Sequence, residues 1–369
     1  MSPSLTSIFI SRLPCEADPM LPLILNKLST LSHIRQLVIH RWHDDLLDPS
    51  IEEASSQQLL QCNQHLRIWN VDSSISTAAL EHTIQLPSLE DFRFIIRSFQ
   101  LPDPLPTVVF PSLRSLDVEC NGDPAWLILL SAVENPVLTT IKIRCPGSTM
   151  ERFMKTFQLV MTGCGMHACL REIWMDSPDD VKVTSQMIAC NFSFKNLTTL
   201  TLFSELDCSD VCKTVDLTDD DIDLLTNAMP CLEDLVVGSS TPCEVPSQIT
   251  FKSLYTISHR LTRLSGLMIH FNPALFVTKV GTGESWDVAL GLSDHKIPPS
   301  RLCFVDTLFV GNIPLPTQSN ASQVMASGLV GVFPHLEKIE YENGDWEEVV
   351  NLVRVFHRSR FPLGRVTPY

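Results

Sequence analysis

Apolar residues recur along nearly the whole chain in one spacing, i, i+3 and i+5, whose last two positions alternate as a half-buried strand requires. Eleven such stretches align, starting at Ile34, Leu66, Leu89, Leu113, Leu138, Leu170, Leu197, Leu232, Leu264, Val305 and Leu336. Typical members are Leu113-x-x-Leu116-x-Val118 and Leu232-x-x-Leu235-x-Val237. A proline stands two residues ahead of five of them, at Pro87, Pro111, Pro136, Pro230 and Pro334, and fixes the phase. Any single stretch is common in an apolar chain; the phased set is the signal.

Helical patterns fill the gaps. The clearest follows Asp216: Thr218 with Asp221 three residues on forms a capping box, and Asp219 to Asp221 favour the positive helix end. Ile222, Leu225 and Met229 follow at helical spacing, and Pro230 ends the helix. Further helices are expected at 49–61, 76–82, 321–328 and 345–357, the last capping the array. Two more open at Asp123-Pro124 and at Ser148 with Glu151. The segment 241–258 reads as an insertion, and 271–301 as an excursion with a short helix around Trp286.

A strand plus a helix, repeated about every 30 residues, is close to the roughly 20–29 of leucine-rich repeats, in which stacking buries what one unit cannot. The expected fold class is α/β, an irregular leucine-rich-repeat solenoid (horseshoe) with a parallel concave sheet and outer helices. Residues 1–28 read as an N-terminal cap or F-box remnant, and 29–369 as the solenoid with an irregular insertion around 271–301.

The phased P-x-L-x-x-L-x-L units and the run from Leu217 to Leu235 resemble the leucine-rich-repeat region of fungal F-box-like proteins, with the F-box itself missing or degenerate. Leu13-Pro14-Cys15-Glu16 resembles an F-box opening, but Pro19 and Pro22 interrupt the helix that should follow. The resemblance implies a substrate-recognition part of a ubiquitin ligase receptor and, were an F-box present, a Skp-type adaptor as partner. The alternative is a free-standing scaffold or inhibitor that binds a protein without a ligase role.

Composition narrows the field. The chain has 369 residues, 44% of them hydrophobic, enough for a large core. A net charge of −15 speaks against nucleic acid and against an anionic membrane surface. The longest apolar run, 125–133, is about half of what spans a bilayer. The N-terminus lacks a charged region followed by an apolar one, so no signal peptide is expected. Twelve Cys then read as reduced thiols of a cytoplasmic or nuclear monomer.

No candidate chemistry survives close reading. The acids from Glu205 to Asp223 lack calcium-loop spacing. Cys164, Cys169, Cys208 and Cys212 with His167 lack the paired spacing of structural zinc. Gly281-Thr282-Gly283 lacks the remainder of a phosphate loop, and G-x-S-x-G does not occur. The expectation is therefore no enzyme, no cofactor and no metal.

What remains is the outward face of the sheet, where a protein partner is expected on the concave side. One row of alternating positions contains Arg93, Asp117, Lys142, Trp174, Thr201, Val236, Met268, Phe309 and Glu340. The next contains Ile95, Glu119, Arg144, Asp176, Phe203 and His270. Charges alternate in sign from Arg93 to Asp176, which favours pairing across strands. Alternation stops at Trp174, Phe203, Met268 and Phe309, the kind of side chain that anchors partners. Those four, with Arg93 and Arg144, are the candidate binding residues.

Overall fold

The structure is a computed structural model. It describes residues 6–13, 20–31, 33–41, 49–96, 110–120, 137–145, 168–176, 182–202, 214–238, 247–285, 289, 303–311, 313–341 and 344–360. These fall into two compact units, Met1–Pro178 and Asp179–Tyr369.

In the first unit seven parallel strands lie in chain order: β1 (Ser7–Leu13), β2 (Gln36–Arg41), β3 (Ile68–Ser74), β4 (Asp91–Ile96), β5 (Ser115–Cys120), β6 (Thr140–Arg144) and β7 (Glu172–Asp176). Its helices are α1 (Leu21–Ser29), α2 (Pro49–Cys62) and α3 (Thr77–Thr83). The second unit has five sheet strands, β9 (Thr199–Leu202), β11 (Asp234–Val237), β12 (Gly266–Ile269), β13 (Thr307–Gly311) and β14 (Lys338–Tyr341). A two-stranded sheet pairs β8 (Lys182–Thr184) with β10 (Thr214–Asp216). Helices α4 (Ser185–Ala189), α5 (Asp219–Ala228), α6 (Phe251–Arg260), α7 (Ala274–Gly281), α8 (Ala321–Val332) and α9 (Glu347–Arg360) complete it.

Both units are α/β leucine-rich-repeat solenoids, and the expected phase holds strand by strand. Leu37 pairs Trp69, Trp69 pairs Phe92, Phe92 pairs Leu116, Leu116 pairs Ile141 and Ile141 pairs Ile173. In the second unit Leu200, Leu235, Leu267, Leu308 and Ile339 are likewise in line. Every apolar position of the eleven motifs is buried except Tyr341, which is half-buried.

Backbone chemistry explains why the spacing is kept. At the entry to most strands one carbonyl accepts two successive N–H groups from the next repeat. Arg35 O accepts from Arg67 (2.7 Å) and Ile68 (3.0 Å), and Asp306 O accepts from Glu337 and Lys338. The prolines act just before this point. In Leu86-Pro87-Ser88-Leu89 and Phe333-Pro334-His335-Leu336 the fourth N–H donates to the first carbonyl, with Pro at the turn position that suits its fixed φ. Where Pro is absent other groups serve: buried Asn63 accepts the Ile34 N–H (3.2 Å) and donates to Leu59 O (2.9 Å).

Several expectations shift. Residues 7–13 form a strand, and α1 carries Pro22 in its first turn, where a missing N–H costs no hydrogen bond. The supposed insertion at 241–258 holds most of α6, an ordinary repeat helix. Phe251, Leu254 and Ile257 are its buried face, masked in the sequence by intervening Ser, Thr and His. The excursion from Phe271 likewise begins with a regular helix, α7. Helix α8 runs four residues beyond expectation, to Val332. The helices expected after Asp123 and Ser148, and around Trp286, lie outside the described residues.

Candidate functional site

In the first unit the outward row is a network of opposite charges. Asn70, Arg93, Asp117, Lys142 and Trp174 are in register on β3 to β7 and half-buried. Arg93 Nε lies 2.8 Å from Asp72 Oδ1 and 3.7 Å from Asp117 Oδ2. Arg144 reaches Asp117 Oδ2 at 3.7 Å and Glu119 Oε2 at 3.6 Å. The two arginines are thus engaged within the face, and Arg93 looks back to Asp72 as well as forward.

Lys142 Nζ sits 4.9 Å from the centre of the Trp174 ring, a cation–π contact worth about 0.5–1 kcal/mol at a partly exposed site. The Trp174 Nε1–H is shut off from solvent and has no hydrogen-bond partner among the described residues. Beside this row Asp91 has its carboxyl pushed above the usual range by burial, with Asp117 adding to the rise and Ser115 opposing it.

The second unit presents a different surface. Val236, Met268 and Phe309 stand in register on β11, β12 and β13, all half-buried, with Glu340 next on β14. Here apolar neighbours replace alternating charges. The row is bounded on β14 by Lys338, which forms an ion pair with Glu340.

Among the described residues the alternation expected of the outward rows fails at several places. Thr201, Ile95 and His270 are buried, at 2%, 7% and 5% exposure. For Ile95 the cause is visible: the β3–β4 register shifts between Asn70 and Ser74, and Ile75 N–H then bonds Ile95 O at 3.0 Å. The chain crosses over the position that strict alternation leaves open. Phe203 lies outside the described residues. The remaining five candidates divide as Arg93, Arg144 and Trp174 in one unit, Met268 and Phe309 in the other.

Sequence reasoning missed a third set, at the strand entries. Arg67 forks onto both Glu90 carboxylate oxygens (2.8 and 2.9 Å), which holds the Glu90 carboxyl below its ordinary range. Arg263 pairs with Glu233 in the second unit. Comparing the first variable position of successive motifs, rather than one motif at a time, exposes Arg67 with Glu90; Arg263 stands one residue ahead of its motif and escapes that comparison.

The acidic stretch resolves into capping, and across repeats. Asp221 caps its own helix, accepting the Thr218 N–H at 2.9 Å. Asp219 instead caps the next one: Oδ1 accepts the Thr250 N–H (2.8 Å) and the Ser253 hydroxyl, and Oδ2 the Thr250 hydroxyl (2.7 Å). Among the described residues no three His, Cys, Asp or Glu side chains gather as metal ligands would. Cys164, His167, Cys208 and Cys212 lie outside them. Cys303 is buried, its thiol pushed up by burial, and points toward Leu261 O at 3.5 Å. Among the described residues no helix is long and apolar enough to cross a membrane.

No family profile and no curated protein matches the chain. Solved structures similar to it include the Rad7 and Elc1 complex in yeast, at 13% identity over 92% of this chain and 85% of that one, with a TM-score of 0.38. Another is the leucine-rich repeat-containing protein LegL7 from Legionella pneumophila, at 9% identity over 98% and 92%, with a TM-score of 0.37.

Proposed function

We propose that this chain is a non-enzymatic protein-binding scaffold that holds a partner on the outward, concave face of its repeat sheet, in the cytoplasm or nucleus. The observation that carries the reading is the row Val236, Met268 and Phe309. Three apolar side chains stand in register on adjacent strands and keep part of their surface open. Aromatic and Met side chains of this kind supply most of the energy where they dock into a partner. The charged face of the first unit has a complementary use. Its ion pairs already satisfy one another, so they favour partners of matching charge pattern more than they add affinity.

A ubiquitin-ligase receptor role has one support, the resemblance of the repeat signature to fungal F-box-like proteins. Positions 14–19, where the F-box opening would stand, lie outside the described residues. The free-standing scaffold needs nothing beyond the face itself and is the reading we favour.

Affinity capture from a native lysate, quantified against Met268→Asp and Phe309→Asp, tests the binding face. The expected result is loss of specific partners at least tenfold, with the far-UV spectrum and thermal midpoint unchanged. Equal capture by both variants removes this face from consideration. Stoichiometric co-purification of a Skp-type adaptor would instead restore the ligase reading.

A further inference from the structure

The first strand of the first unit and the last strand of the second are finished differently. On β14 Lys338 and Glu340 pair on the outward face, charges of the kind that keep an edge from pairing with another chain. Strand β1 pairs with β2 on one side, and among the described residues nothing pairs with its other edge. No charge occurs between Ser7 and Ser11, and Phe9 is 65% exposed. Helix α1 buries Leu21 and Leu25 but leaves Leu23 in solvent, where Met20 and Leu31 at its two ends also lie.

The open edge has a defined hydrogen-bonding pattern. Thr6 O accepts the N–H groups of Arg35 and Gln36 and so faces β2. Backbone groups of alternate residues turn the same way, so Ile8 and Ile10 also face β2, while Ser7 and Phe9 face outward and Ser11 follows them at the edge of the regular register. The stretch Ser7-Ile8-Phe9-Ile10-Ser11 reads the same in both directions.

We propose that this edge is a homodimer interface, in which β1 pairs antiparallel with β1 of a second copy about a two-fold axis at Phe9. Phe9 then opposes its own twin, Ile8 opposes Ile10, and Ser7 opposes Ser11. The residues that meet in hydrogen-bonded positions are those whose groups face the open edge. A centre at Ile8 or Ile10 would use the same outward-facing groups but would set Phe9 against a serine and end the self-match of the stretch. Arg12, the one charged residue of the strand, falls opposite Thr6, so no like charges meet. A self-complementary patch of this kind is what a closed two-fold assembly requires.

The regular register of β1 runs from Ser7 to Ile10 and shifts before Leu13, so the ladder is short, two hydrogen bonds at the Phe9 pair and up to four more where Ser7 meets Ser11. A strand this length does not reach the roughly 800 Å² per partner of a standard interface. In the proposed dimer the remainder comes from exposed Leu23 on α1 and from Met20 and Leu31 at its ends.

The test uses the full chain. Light scattering and sedimentation between 1 and 100 µM should give twice the 41.3 kDa chain mass. Phe9→Lys should return the monomer mass with an unchanged far-UV spectrum. Phe9→Cys should form a covalent dimer on mild oxidation, because hydrogen-bonded antiparallel pairs hold Cα atoms about 5.5 Å apart, within disulfide reach. Phe304→Cys, at a site 58% exposed, should cross-link no more than the unaltered chain with its native thiols. Monomer mass throughout the range, including the case of an edge that takes another protein's strand, overturns the proposal. So does equal cross-linking at positions 9 and 304.

Discussion

Asp219 offers the sharpest test of how the repeats are joined. Its carboxylate takes three hydrogen bonds from the first turn of α6, where the helix dipole also favours negative charge. Asp219→Ala leaves three donors to be satisfied. Thr250 is half-buried, so water can reach its N–H and hydroxyl, and losing a cap there costs about 0.5–2 kcal/mol. Ser253 is fully buried, and its hydroxyl would be left without this acceptor at about 1–3 kcal/mol. Together these give about 1.5–5 kcal/mol.

Asp220 is the matched control. It is one residue on in the same acidic turn and exposed, so Asp220→Ala should stay within about 0.5 kcal/mol. Urea unfolding followed by circular dichroism gives both values, and hydrogen exchange should show early loss of protection in the first turn of α6. Ser253→Ala should cost far less in the Asp219→Ala background than alone, a coupling of about 1–2 kcal/mol. If the two aspartate variants agree within about 0.5 kcal/mol, the acidic run is a solvated helix end and the cross-repeat cap is not a determinant of stability.

Two further outcomes follow from packing and charge. A Cβ at Gly328 would lie 2.8 Å from Phe276 and 2.9 Å from Phe251, whose rings stack at 4.0 Å, so Gly328→Ala should destabilise by about 1–3 kcal/mol in urea titration. Gly344→Ala meets open space and should be near neutral in the same assay. Asp91 has a raised carboxyl pKa, so the fold favours its protonated form. Relative to an ordinary Asp its contribution is largest below the unfolded pKa and is lost as pH rises through the folded value. Asp91→Asn should therefore stabilise the protein at pH 7, with the gain shrinking on acidification through the raised pKa; a gain that is flat with pH refutes the assignment.

The sequence by itself determined the repeat and its phase. Leu37, Trp69, Phe92, Leu116, Ile141 and Ile173 could be aligned on paper because one apolar spacing defines which side of each strand is buried, whatever its neighbours. Thr218 with Asp221 was equally legible, since a capping box closes within four residues. What tertiary structure decided was every relation between repeats that periodicity does not encode. Asp219 belongs to α6 rather than to its own helix because Thr250 and Ser253, some thirty residues on, are brought to it by stacking. Ile95 is covered because β3 and β4 slip register beside it, and two extra residues on β3 redirect backbone over a position that strict alternation would leave open. Alternation along a strand is local and survives in one dimension. Who lies beside whom is set by the lengths and paths of the segments between strands, and those carry no period to read.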